Sequence, residues 1–507
     1  MRHLVCAGLI ASLAARAIGA QATVTVPPSD PIYRTLDDLA AAGRITTMIV
    51  GQRPYTRREI ARLLGEAGER DLQTRFGDVA LRIVESVTGE TMVLNSPSRA
   101  LPNDSSGSTD AAINPFLDYR EGRQYAEHGA TAAVETYHLA SAGPHIGVAM
   151  RPRFSTAASQ RFFLEQAAAH VALGNVTVDA GRDYNFVGQG RYAGVAGSMN
   201  AQGLDMVRLS TESPWTLPSF LRPAGPVKGT LYVADVGNGD VGFPHSKILG
   251  YEISLLPRSR IEIGLHALEK FGGRGTPPVS LLTHVLDATM LYYPFFHPGN
   301  DSSRFAERLV GGDFRLRIPG AAGLEVYGDA ALRDFDIRRL KSILVDETGG
   351  LLGFRVACLR KCGAMRLQGE WHKTGIRFYS SGRFLSGLTY HQHYLGDALG
   401  LRGRAAYLWL DGTGRAGTTW SVQGAYEARN GSLYEAVAGK NDVNFHFIDY
   451  ARRPSEHRLR LLADVSGALD AHTRVRLETG IEQVGNFAFS NERRTNGLGR
   501  VVLEWRP

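Results

Sequence analysis

The run Tyr390-His391-Gln392-His393-Tyr394 gathers the densest set of hydrogen-bonding and aromatic side chains in the chain. On an extended strand His391 and His393 share one face, and Tyr390, Gln392 and Tyr394 share the other. Two histidines at i and i+2 supply two metal ligands. A metal site needs a third and usually a fourth, for which His372 is a candidate. The competing reading, which we favour, is a cluster at a loop base whose ring nitrogens and hydroxyls bond water or a polar ligand. Asp183, Glu370 and Asp397 are the acids that would suit glycoside cleavage, which needs two carboxyls at a set separation, one with a raised pKa. Most acids in the chain alternate with apolar residues, as wall side chains do, so catalysis is not expected. Ser198 lies in Gly197-Ser198-Met199 and lacks the glycine-flanked elbow of a serine hydrolase. Gly188-Gln189-Gly190 and Gly272-Gly273-Arg274-Gly275 read as turns, since no helix with Lys-Ser/Thr follows either one. Cys358 and Cys362 bracket three residues, and a hairpin there brings their Cβ atoms within disulfide range. A redox or metal pair would want two-residue spacing and further ligands. Neither a metal nor a cofactor is expected.

These residues must be positioned by something large. The chain has 507 residues, 43 % of them hydrophobic and 21 % charged, which excludes disorder for most of its length. Three cysteines exclude a disulfide scaffold. Lys and Arg number 57 against 50 Asp and Glu, a formal +7 that is scattered rather than clustered, so no nucleic-acid partner is expected. Residues 1–22 read as a secretory signal: Arg2 and His3, an apolar run from Leu4 to Ala15, then Ala20-Gln21-Ala22 for cleavage. Cys6 leaves with it. After it, no apolar run approaches the ~20 residues of a spanning helix.

Residues 23–95 read as a small helical head. Asp30-Pro31 starts a helix carrying Ile32, Leu36 and Leu39, and Gly43 ends it. Thr56-Arg57-Arg58-Glu59 is a capping box ahead of Ile60, Leu63 and Leu64. Leu72, Phe76, Val79, Ile83 and Val87 space a third helix. Residues 96–112 read as a linker by composition. Residues 113–507 read as the barrel, and from about 130 the period becomes two. Leu249, Tyr251, Ile253 and Leu255 share one face, and Leu459 and Leu461 alternate with Arg458 and Arg460. About eighteen such segments of ~9–13 residues, apolar on one face and charged on the other, match a transmembrane β-barrel rather than the shorter strands of a soluble sandwich. The expected fold is therefore mainly β: a large antiparallel transmembrane barrel with a small N-terminal helical head. Tyr251, Tyr327, Trp371, Tyr407, Trp409 and Trp505 are candidates for its interfacial girdles.

Several segments in order carry a family resemblance. Asp183-Tyr184-Asn185-Phe186-Val187-Gly188-Gln189-Gly190 resembles the Trp-Gly-Pro-Gly segment of the Wzi capsule-assembly family. Lys247-Ile-Leu-Gly-Tyr-Glu-Ile-Ser-Leu-Leu and Phe271-Gly-Gly-Arg-Gly are similar to its hairpin and Trp-Gly-Gly turn. Arg308-Leu-Val-Gly-Gly-Asp-Phe, Glu370-Trp-His-Lys-Thr374 and Tyr394-Leu-Gly-Asp-Ala-Leu-Gly400 follow in family order, and Gly51-Gln-Arg-Pro-Tyr sits where the family has its head. Val187 and Gln189 replace the family's Trp and Pro, and His372-Lys373 replace an Ala-Asp pair beside Trp371. The resemblance implies an 18-stranded outer-membrane barrel with a periplasmic-side head and a lectin-like role at the cell surface, in attaching or assembling capsule or exopolysaccharide. It implies no enzyme. It also singles out two sets of sugar-binding candidates: Tyr184, Asn185, Gln189, Arg191, Tyr192 and Asn200, then Trp371, His372, Tyr390, His391 and His393. The partners it implies are capsular or exopolysaccharide, outer-membrane lipid or lipopolysaccharide, and the polysaccharide export machinery. Arg333, Arg338, Arg339 and Lys341 suit an acidic polymer or anionic headgroups. The alternative is a porin-like channel or uptake barrel with the head as a helical plug.

Overall fold

The computed structural model describes residues 24–505 except 71–72, 74–85, 96–128, 143–144, 157–160, 192–193, 241, 279–305, 319, 334–343, 360–363, 382, 385, 392, 415–416, 430–433, 439–444, 450–453 and 490. The signal, the linker and the charged run 338–341 lie outside these residues. So do Tyr192, Cys362 and most of the third helix.

Alternation builds the wall. The barrel strands are β1 (Ser86–Asn95), β2 (Gly129–Ala142), β3 (Ile146–Ser155), β4 (Phe162–Leu173), β5 (Val176–Asp183), β6 (Leu204–Thr211), β7 (Pro226–Asp235), β8 (Lys247–Arg258) and β9 (Ile261–Phe271). They continue as β10 (Ala306–Ile318), β11 (Leu324–Arg333), β12 (Thr348–Val356), β13 (Met365–Thr374), β14 (Gly403–Thr413), β15 (Thr419–Arg429), β16 (Glu456–Ala468), β17 (Thr473–Gly485) and β18 (Arg493–Trp505). Each pairs antiparallel with the next, and β1 closes the ring against both β18 and β2. On β8, Leu249, Tyr251, Ile253 and Leu255 turn outward while Glu252 and Ser254 are buried inside. On β16, Leu459 and Leu461 are exposed and Arg458 and Arg460 are buried. This distribution reverses that of a soluble protein, as a lipid-facing wall around a polar interior requires.

The boundary between head and barrel differs from the sequence reading. Ser86–Asn95, placed at the end of the head, is the strand that closes the barrel. Val87 completed a helical spacing, but pairing partners on both sides decide in favour of the strand. The girdle candidates also divide. Trp371 and Trp505 face outward, whereas Tyr327, Tyr407 and Trp409 are buried inside.

The two ends of the barrel differ. Connections 174–175, 259–260, 414–418 and 469–472 are short and lie at one end. Connections 184–203, 272–305, 375–402 and 430–455 lie at the other. The head enters at the short-turn end. Its helices are α1 (Ile32–Ala41) and α2 (Arg57–Glu66). Asp30 Oδ1 accepts from the Ile32 amide at 2.8 Å at the start of α1. The capping box forms at the start of α2, with the Glu59 amide donating to Thr56 Oγ1 at 3.1 Å. Leu36, Ile45, Met48, Tyr55, Ile60 and Leu64 form the head's own core.

Candidate functional site

Charges on the inner wall would be costly unless paired, and most of those described are paired. Arg460 donates to Glu427 at 3.0 Å and to Glu482 at 2.9 Å. The head uses the same wall. Glu262 accepts from the amides of Val50 and Gly51 at 2.9 and 2.7 Å, and Asp38 is held by Arg355 and Arg366.

From the opposite end, the loop 184–203 turns down into the lumen. Gln52 and Arg53 of the head pair with Val187 and Phe186 of this loop as a two-residue ladder. Gly188 has φ +116°, and a Cβ there would fall 2.3 Å from Asp329 Oδ2, so glycine is required for the approach. Gln189 Nε2 donates to Glu262 at 2.8 Å and Asp313 at 2.5 Å, while Arg315 Nε donates to its oxygen at 2.7 Å. Arg191 forms a bidentate pair with Asp411 at 2.6 and 3.0 Å, and its amide donates to Glu370 at 2.7 Å. The loop 375–402 folds over the first. Asn200 Nδ2 donates to the Tyr394 carbonyl at 2.9 Å, and Tyr379 OH to that of Val195 at 2.8 Å. His372 has Asp397 on Nδ1 at 2.6 Å and Glu370 on Nε2 at 3.0 Å. Two cavities among these lumen residues hold 10 and 30 Å³, room for about one or two waters.

Most of the sequence-selected residues therefore hold the plug together. Gln189, Arg191, Asn200 and His372 are bonded to lumen partners. Tyr184 is buried, its OH accepting from Arg151 at 3.0 Å, and Asn185 donates to Tyr232 OH at 3.0 Å. Trp371 is separated from all of them: it stands 49 % exposed on the outer wall, because Glu370 and His372 on either side face in. The histidine cluster is not a strand face. Thr389–Tyr390 pairs with His393–Tyr394 as a hairpin, and His391 sits in its turn with φ +47°. His393 is buried, its Nδ1 2.9 Å from the His391 carbonyl. Burial lowers the pKa of both, and Arg182 also lowers that of His391. Cys358 is disulfide-bonded.

The hairpin turn reaches the rim at the long-loop end. There Arg182 donates to Asp205 at 2.8 and 2.6 Å, and Tyr390 OH donates to Asp205 at 3.2 Å. His391 stands exposed against Tyr390, ring centroids 4.4 Å apart. Across the sheet the register runs Arg182, Asp205, Asp235, Lys247 in one row, with His245 3.2 Å from Asp235 and Lys247 at 2.6 Å. Sequence reasoning passed over Arg182, Asp205, Asp235, His245 and Lys247. Strand-end charges look like ordinary rim residues until the register aligns them.

Among the described residues, one buried set has metal-ligand geometry: His170, Asp179 and Asp183. Arg208 pairs with both aspartates, at 2.8 and 2.5 Å, so a guanidinium already supplies the positive charge. The three carboxylates considered for catalysis are also engaged. Asp183 holds Thr25, Gln166 and Arg208, while Glu370 and Asp397 flank His372.

Against known proteins, no curated sequence matches the chain. Among solved structures, the chain is similar to Escherichia coli Wzi, described as an outer-membrane protein involved in group 1 capsule assembly and a carbohydrate-binding β-barrel. The TM-score is 0.68 at 17 % identity, over 96 % of this chain and 99 % of that one. Likeness to OccD3 of Pseudomonas aeruginosa is weaker, with TM-score 0.48 and 10 % identity over 84 % of this chain and 90 % of that one. The family described as capsule assembly protein Wzi matches residues 103–497. A match over that span of a closed barrel, reaching into the last strand, makes the chain a member of the Wzi capsule assembly family and an outer-membrane β-barrel.

Proposed function

We propose that the protein binds surface polysaccharide on its long-loop face and helps attach or assemble capsule or exopolysaccharide, by non-covalent contact alone. The observation that carries this reading is the filled lumen. The head is bonded in from one end and 184–203 from the other, so among the described residues the rim is the polar face left to a polymer. Loop length orients the barrel: short turns face the periplasm and long loops the exterior. The head then lies on the periplasmic side, where a component of the export machinery would meet it.

At the rim, Arg182–Asp205 offers a planar donor–acceptor pair beside Tyr390 and His391, suited to sugar hydroxyls. Engagement of Asp183, Glu370 and Asp397 in the plug supports a binder rather than a hydrolase. Family membership and the carbohydrate-binding description of the E. coli protein support the same reading. The test is binding of detergent-purified protein to the source organism's own surface polysaccharide, with Asp205→Ala and His391→Ala beside it. Binding weakened in either variant supports the site; equal binding in all three places the sugar elsewhere.

A further inference from the structure

The outer wall carries a second arrangement on the opposite strands. At the long-loop end of β13, β14, β15, β16, β17 and β18 the register runs Lys373, Arg404, Ala428, His457, Gly485, Arg493. Lys373, Arg404, His457 and Arg493 alternate with buried lumen residues, so all four point outward. Lys373 and Arg404 stand directly across from each other, and like charges so placed repel unless an anion lies between them. Among the described residues no acid pairs with Lys373, Arg404 or Arg493. The row on the other side of the barrel differs, since there Asp205 and Asp235 neutralise Arg182 and Lys247.

Directly beneath the basic row lies an apolar groove of about 960 Å³. Trp371 and Ala406 pair below Lys373 and Arg404, and Tyr426 and Leu459 continue that row. The floor is low because its residues are small. A Cβ added at Gly424 would meet nothing within 4 Å. Tyr426 OH lies 3.0 Å from His457 Nδ1, which ties the groove wall to the basic row.

We propose that this face is a binding site for a phosphorylated, multiply acylated glycolipid, the lipopolysaccharide of the outer leaflet. An acyl chain would lie along Gly424 and Ala406, and phosphate would sit on Lys373 and Arg404, with His457 and Arg493 flanking. Apolar depth below and unpaired cations at headgroup level match that chemistry. The inference rests on the orientation given above, with long loops outside.

The experiment is native mass spectrometry of the folded barrel with four probes: bisphosphorylated lipid A, its dephosphorylated form, phosphatidylglycerol and inorganic phosphate. Lipid A should be retained, the other three at least tenfold less. K373E/R404E should lose lipid A tenfold or more, and Gly424→Leu, which fills the floor without touching the charges, should also lose it. Heat-modifiable gel mobility shows that each variant is folded. Equal retention of phosphatidylglycerol, lipid A retention unchanged in both variants, or a dimer mass in place of the lipid adduct would each overturn the proposal. Orientation is read separately, by labelling Asn491→Cys with an impermeant maleimide on intact cells. Polysaccharide binding is measured on the same variants. It stays unchanged in K373E/R404E if the two sites are separate, so failure of one reading does not resemble failure of the other.

Discussion

Gln189 Nε2 donates to Glu262 Oε1 at 2.8 Å, and the Gly51 amide donates to the same oxygen at 2.7 Å. One wall carboxylate thus joins a loop from the long-loop end to the head from the short-turn end. Gln189→Leu removes the amide and leaves Glu262, Asp313 and Arg315 short of a partner inside the barrel. Each buried group left unsatisfied costs about 1–3 kcal/mol. We expect a lower unfolding temperature by heat-modifiable mobility and faster protease cleavage within 184–203. A variant as resistant as wild type would show that the contact is dispensable.

Asp38 bridges the head to Arg355 and Arg366 on β12 and β13. Asp38→Ala removes the acid that pairs with Arg366 and leaves Arg355 with Glu325 alone, and breaking a buried pair costs about 3–5 kcal/mol at full burial. The expected result is limited proteolysis that trims the head while the barrel stays folded. Simultaneous loss of head and barrel would mean the head is part of the barrel's own stability.

The filled lumen predicts electrical silence. Purified protein in a planar bilayer should give no steps, under conditions where an open porin conducts. Regular open-channel steps would move the reading to the uptake barrel.

Sugar binding should separate rim from wall. Asp205→Ala and His391→Ala should each weaken polysaccharide binding about five- to tenfold, corresponding to about 1–1.4 kcal/mol for one lost hydrogen-bonding partner. Trp371→Ala should leave it unchanged, since that ring faces lipid. Weakening by Trp371→Ala alone would place the sugar at the membrane wall.

His393 gives a pH dependence. Burial holds its pKa below the usual histidine range in the folded loop. The unfolded loop then binds more protons, so stability is lost as pH falls through about 6.5 towards the folded value. Hydrogen-exchange protection in 375–402, taken relative to the intrinsic exchange rate at each pH, should be lower at pH 5 than at pH 7.5, and His393→Gln should flatten the difference. Equal wild-type protection at both values would remove His393 as the cause.

The wall was legible in the sequence because its signal is local. Leu249, Tyr251 and Ile253 against Glu252 and Ser254 need only a period of two, and the Thr56 capping box needs only four residues. The site was not legible, because every assignment there depends on distant register. Arg191 meets Asp411 and Gln189 meets Asp313, partners that no spacing rule connects. Trp371, a girdle candidate and a sugar candidate alike, faces the outer wall for a local reason. It adjoins Glu370 and His372 in sequence, and adjacency on a strand places side chains on opposite faces.

The ladder between Gln52–Arg53 and Phe186–Val187 sits inside a ring whose seam joins the first barrel strand to the last. The seam encircles the ladder, so wall and cork are topologically linked: a ring closed by β18 before Gln52–Arg53 had met Phe186–Val187 would oblige the head to enter from the short-turn end. Biogenesis in this protein is a problem of timing as much as of stability.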